Sequence, residues 1–229
     1  MDKHPRQFDK ELTDLKNRLL HMAAIAEKQI DRVIQKLVQR DAAVAEVVRK
    51  EEEDLNRYQL EIDELALKLL ATQQPVAIDL RFIVTATRIN SELERIGDLA
   101  INIAENVEVL LASPPLKPLI DIPRMADLAR QMVRQSLHAF VRDDALLAQS
   151  VITSDDEVDA LKDQIIRELL TYMMSDPRTI ERALALILIA RHLERIADHA
   201  TNIAQDVIYL IQGRDVRHPR LHREGETRT

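Results

Sequence analysis

The segment LERIGDLAINIAE, Leu93 to Glu105, recurs one hundred residues later as LERIADHATNIAQ, Leu193 to Gln205. A repeat at that distance in a chain of 229 residues points to two similar units in tandem. Units of about 100 residues are each long enough to bury a core. Composition narrows the class further. Gly is scarce (3 residues), aromatics make up 3%, and Leu, Ile, Ala, Glu and Arg dominate, a balance that favours long helices over twisted sheets.

The breakers then mark helix ends. TQQP before Val76, SPPLKPLIDIP from Ser113 to Pro123, and SDP at Ser175 to Pro177 cannot continue a helix. Gly213 suits a helix C-terminus, and Arg40-Asp41 and Arg142-Asp143-Asp144 are weaker stops. Six helices are therefore predicted: about 5–39, 42–71, 78–111, 125–142, 145–174 and 179–212. Asp79 is the expected N-cap of the third. Leu93, Ile96, Ala100, Ile103, Val107 and Leu110 form the apolar seam of the third helix, and Leu193, Ile196, Ala200, Ile203, Val207 and Leu210 form that of the sixth. The fold class that follows is all-α: two tandem three-helix bundles from an internal duplication, spanning 1–112 and 124–213. The remaining residues 214–229, RDVRHPRLHREGETRT, are basic, contain Pro219 and carry few apolar side chains, so a disordered tail is expected rather than a nucleic-acid arm.

Several function classes recede. With no Cys there are no disulfides, thiolate zinc sites or Cys nucleophiles, and the chain suits a reducing cytoplasm. The start, MDKHPRQFDKEL, lacks the apolar core of a secretory signal. The longest apolar run, Ala183 to Ala190, is far short of the roughly 20 residues that span a bilayer. A net charge of −7 gives no global attraction for nucleic acid. No Gly-rich phosphate loop, Ser/His/Asp arrangement or nucleophile elbow is present, and no Glu has a His three residues later, as a ferritin-type centre needs. No enzymatic turnover is expected.

The informative feature is the polar half of the repeat. On a 3.6-residue helix, Glu94, Asp98, Asn102 and Glu105 share an arc of about 80° lying opposite the apolar seam. Glu194, Asp198 and Asn202 repeat it, with Gln205 as the fourth residue. Carboxylates four residues apart repel unless an Arg or a cation offsets them. A single acidic face is usually just solvated, but here nine of thirteen positions are identical, four of them polar. Matching pairs occur on the preceding helices: Glu52 and Asn56 in EEEDLN, and Asp155 and Asp159 in SDDEVD. Each unit can thus set Glu94 and Asp98 against Glu52 and Asn56, or Glu194 and Asp198 against Asp155 and Asp159. Such oxygen-rich, His-poor sets suit hard or borderline divalent or trivalent ions (Mg, Mn, Ca or Fe) better than a thiolate-type zinc site. A cluster of this kind has room for more than one ion. The other reading is a scaffold whose acidic faces bind proteins without metal; a metal-dependent hydrolase or oxidase is a distant third. His199 adjoins Asp198, but its counterpart is Leu99, so an inter-helix or surface role is expected. His192 corresponds to Glu92, and His21 and His138 have no acidic partner at a useful step.

These motifs, together with EIDELALKLLATQQPVAIDLRFI and ELLTYMMSDPRTIERALALILIARHLERIADH, resemble the PhoU family of regulators that accompany the bacterial phosphate-specific ABC transporter. The similarity runs from about Phe8 to His218. It implies two three-helix bundles whose E(D)-x-x-x-D motifs hold surface metal clusters (Fe, Mn, Mg or Zn), here on Glu94/Asp98 and Glu194/Asp198 with partner motifs Glu52/Asn56 and Asp155/Asp159. It further implies negative regulation of phosphate uptake and of the starvation response, through the transporter's ATPase subunit and a sensor histidine kinase. Such an adaptor is non-catalytic, cytoplasmic, and peripheral to the membrane only through its partners; the elongated bundles themselves suit a homodimer. Asn56 departs from the pattern, an amide where the motif has a carboxylate. The second site, with four carboxylates against three, is accordingly expected to be the tighter one.

Overall fold

The computed structural model describes residues 7–41 and 44–217. It contains six helices: α1 (Gln7–Gln39), α2 (Val44–Gln73), α3 (Ala77–Leu111), α4 (Asp121–Arg142), α5 (Ala145–Ser175) and α6 (Ile180–Gln212), the last preceded by a single 3₁₀ turn, Pro177–Thr179. Among the described residues there is no strand. The predicted start of α1 at Pro5 and of α2 at Ala42 fall outside the described residues.

Local chemistry sets most ends. Asp144 caps α5, its Oδ1 accepting from Leu146 N at 3.0 Å and Leu147 N at 2.9 Å. Gly213 ends α6 at φ 66°, its N–H reaching Tyr209 O at 2.8 Å. A side chain there would be strained by that φ and would also meet the Arg81 guanidinium, 2.7 Å from an added Cβ. Arg40 supplies what the end of α3 lacks, donating from Nη2 to the carbonyls of Leu111 at 3.3 Å and Ser113 at 2.6 Å.

Most described ends fall within two residues of expectation, but two helix starts differ in kind. Helix α4 starts at Asp121 and takes Pro123 into its first turn, where a missing N–H breaks no helical bond. Asp79 is not the N-cap of α3. Val76 holds that position in extended conformation, and Asp79 lies within the first turn, donating its backbone N–H to Val76 O at 3.2 Å. There its carboxylate opposes the positive end of the helix dipole.

The duplication is visible in burial. Leu19, Met22, Ala23, Ala26, Ile30 and Ile34 of α1 are buried, as are Ile122, Met125, Ala126, Ala129, Val133 and Leu137 of α4, each 103 residues on. The seams of α3 and α6 are buried throughout at a spacing of one hundred. Helices α2, α3, α6 and α5 pack in that order as one row, with α1 and α4 as a second row behind them. The α3 and α6 helices run antiparallel at the centre, so Arg88 meets Asp206 and Glu92 meets Asn202. This brings both acidic motifs to the seams between α2 and α3 and between α5 and α6.

Candidate metal-binding acidic clusters

In the first unit Glu52 of α2 faces Glu94 and Asp98 of α3. Burial pushes the Glu52 carboxyl above its usual value, and the charges of Asp98 and Glu94 push it further. Burial and Asp98 also raise Glu94. From behind, Gln29 of α1, fully buried, donates Nε2 to Glu52 Oε2 at 3.1 Å. The other Glu52 oxygen, Oε1, is buried with no hydrogen-bond partner. A buried carboxylate oxygen left unpaired beside two further carboxylates is a position that a cation would satisfy.

Gly97 makes this approach possible. An added Cβ would lie 2.8 Å from Glu52 Oε2 and 3.0 Å from Leu55 Cδ1. In the second unit the same step carries Ala197, buried, and the shorter Asp155 replaces Glu52. The missing methyl on one helix is matched by the longer acid on the other. Gly97→Ala is expected to change stability by no more than about 1 kcal/mol, because helix propensity gained offsets crowding. It should nonetheless push the Glu52 carboxylate out of place; isothermal titration with Mn²⁺ would show a weakened first site beside an unchanged second.

In the second unit Asp155 is pushed up to about 6 by burial first, then by Asp198, Asp159, Glu194 and Asp156. Asp198 is raised by burial, Glu194 and Asp159, with His199 and Lys162 pulling it back. The four predicted carboxylates are therefore together. Lys162 joins them, its Nζ donating to Asp159 Oδ1 at 2.8 Å and Glu194 Oε1 at 3.1 Å. Those contacts raise the Lys162 pKa.

The remaining predicted residues are placed differently. Asn56 is exposed on α2, one turn from Glu52, and its amide works against the burial that raises the Glu52 carboxyl. Asn102 is half-buried, its carbonyl accepting from Asn106 Nδ2 at 2.7 Å. Asn202 is committed across the central interface, donating Nδ2 to Glu92 Oε2 at 3.2 Å. His199 Nδ1 donates to the same oxygen at 2.6 Å, the inter-helix role expected for it. Burial alone would raise Glu92, but the bonds from His199 and Asn202 outweigh it and hold the carboxyl below its usual value. Arg95 pairs with Glu92 on its own helix at 3.4 Å.

Among the described residues no three His, Asp or Glu side chains already stand at ligand spacing. A cation would have to draw the carboxylates together. The donor set fits that role: hard oxygen donors, mutually repelling, with one oxygen orphaned in the interior.

Sequence reasoning did not single out Gln29, Glu92, Gly97 or Lys162. Lys162 carried a signal, three residues after Asp159 on one helix face. Gln29 carried a fainter one, a polar residue within the α1 seam whose counterpart 103 residues on is the buried Met132. Glu92 could be found only once the antiparallel pairing of α3 and α6 was known.

The PhoU domain model matches this chain twice, over residues 19–107 and 122–207. A Pseudomonas putida protein named phosphate-specific transport system accessory protein PhoU homolog is 41% identical over 219 residues, covering 95% of this chain and 86% of the relative. An Aquifex aeolicus protein of the same name is 42% identical over 217 residues, covering 95% and 98%. The crystal structure of PhoU from Pseudomonas aeruginosa superposes with a TM-score of 0.87 at 40% identity, covering 91% of this chain and 100% of that one. That of the phosphate transport system regulatory protein PhoU from Streptococcus pneumoniae gives 0.85 at 28% identity, covering 92% and 99%. Two matched repeats in the two helical units, and this identity over nearly the whole length, show that the chain belongs to the PhoU family.

Proposed function

We propose that this protein is a regulatory accessory protein of phosphate-specific transport, a non-catalytic adaptor that restrains uptake and starvation signalling and carries metal ions on its duplicated acidic clusters. The observation that carries the metal reading is the buried, unpartnered Glu52 Oε1 set against Glu94 and Asp98. The transport role rests on relatives about 40% identical over nearly the whole chain, which are named as accessory proteins of phosphate-specific transport. Glu52, Glu94 and Asp98 would hold an ion in the first unit, and Asp155, Asp159, Glu194 and Asp198 in the second. A bound ion would supply charge that cancels carboxylate repulsion and fixes α2 on α3 and α5 on α6.

No described helix is long and apolar enough to cross a membrane. In this reading, contact with the transporter passes through its ATPase subunit on the cytoplasmic side, with a sensor histidine kinase as the second partner and a homodimer as the working form. Deleting the gene should derepress phosphate-starvation genes in phosphate-rich medium, and the wild-type gene should restore repression. Unchanged expression would refute the regulatory role.

One observation favours a second reading, a scaffold that binds proteins without metal. Lys162 already seats an ammonium among the second set of carboxylates, as a partner's lysine or arginine could. Elemental analysis of the purified protein separates the two readings.

A further inference from the structure

The two acidic clusters are built from matching positions yet neutralised differently. The first has three carboxylates, Glu52, Glu94 and Asp98, and at the steps matching Asp159 and Lys162 it has the neutral Asn56 and Gln59. The second has four carboxylates and one ammonium at the matched positions, so the formal charge over those positions is minus three in both. The buried donor differs as well. Gln29 supports Glu52 from α1, whereas the matching Met132 of α4, also buried, has nothing to donate to Asp155. The extra acid and the lysine therefore enter the second cluster together, and the lysine bridges its two helices. Its Nζ spans from Asp159 on α5 to Glu194 on α6, with Asp163 at 3.8 Å, and the side chain is only 19% exposed.

We propose that Lys162 is a tethered cation of the second cluster, competing with metal there and making the two sites unequal. This rests on the reading of the clusters as cation sites. An ammonium bound to Asp159 and Glu194 satisfies two of the four carboxylates that a divalent ion would use. Metal enters the second cluster only by displacing Lys162, while the first cluster has no internal competitor. A count of carboxylates ranks the second site tighter; the position of Lys162 reverses that order. The consequence is graded loading, with the first cluster filling at a lower metal concentration and the second responding to a higher one.

The test is Mn²⁺ titration of the metal-free full-length protein, followed by calorimetry and by electron paramagnetic resonance of unbound Mn²⁺. The first cluster is removed by Glu94→Ala with Asp98→Ala so that the second is read alone, and circular dichroism confirms helical folding of each variant. In that background Lys162→Gln should raise Mn²⁺ affinity at least tenfold, and Lys162→Arg, which keeps the charge, should leave it near the starting value. In the protein with both clusters intact, Gln59→Lys should weaken the first site by a similar factor. Equal or weaker binding in Lys162→Gln overturns the proposal while leaving the cation sites standing. No Mn²⁺ binding in any variant overturns both.

Discussion

Arg88→Ala is expected to destabilise the protein by about 2–3 kcal/mol, a large share of the total stability of a fold this size. Asp206 on α6 is 4% exposed, and Arg88 Nη1 on α3 lies 3.0 Å from its Oδ1. Burial pushes the Asp206 carboxyl up, and the hydrogen bond and charge of Arg88, with that of Arg217, oppose it. Truncating Arg88 leaves a buried carboxylate with Arg217, at 3.5 Å, as its remaining partner. It also removes the guanidinium stacked 5.6 Å from the Tyr209 ring centre. Asp206→Asn should cost less, because a neutral amide needs less compensation in the interior. Urea denaturation of the three proteins measures this directly. Equal stability of Arg88→Ala and the wild type would show that the ion pair does not hold α3 on α6.

Asp155→Asn is expected to stabilise the metal-free protein near pH 7 while removing one of the proposed ligands of the second cluster. The carboxyl of Asp155 moves from its ordinary 3.8 to about 6 on folding. A carboxyl raised in the folded state contributes stability that is fully present below 3.8 and lost as pH rises through about 6. At pH 7 the ionised group therefore opposes folding, and an amide does not. The group is only half-buried, so solvent screening holds the gain to about 1 kcal/mol. Thermal denaturation in chelator should show the variant melting above the wild type at pH 7 and the gap closing towards pH 5. A gap that widens with falling pH would mean that Asp155 is not held among like charges.

What was legible in the chain, and what was not, follows from the reach of each signal. The seams of α3 and α6 were read residue by residue, because Leu93 to Leu110 and Leu193 to Leu210 follow one period and end at breakers. The pairing of Glu52 with Glu94 and Asp98, and of Asp155 with Asp198, was also legible, since the duplication sets the same four-residue step on the helix preceding each repeated motif. Contacts between the units were not. Glu92 and Asn202 lie on different helices 110 residues apart, and only the antiparallel packing of α3 on α6 shows that the amide of Asn202 goes to Glu92. The early start of α4 escaped because proline stops a helix in its interior but not in its first turn. Residues 214–217 were expected to begin a disordered tail. Instead Arg217 pairs with Asp215 and with the buried Asp206, which draws in a second cation that composition could not reveal. The rest of that tail, 218–229, lies outside the described residues.

Whether the duplicated acidic faces hold metal is decided by elemental mass spectrometry of protein purified without chelator or affinity metal, alongside Glu94→Ala/Asp98→Ala, Glu194→Ala/Asp198→Ala and the combined variant. Bound metal is expected in the wild type, with a partial loss in each pair and none in the combination, and circular dichroism unchanged. Metal content that is the same in all four proteins, or a wild type that carries none and gains none on incubation with Mn²⁺ or Fe²⁺, would contradict metal binding at these faces.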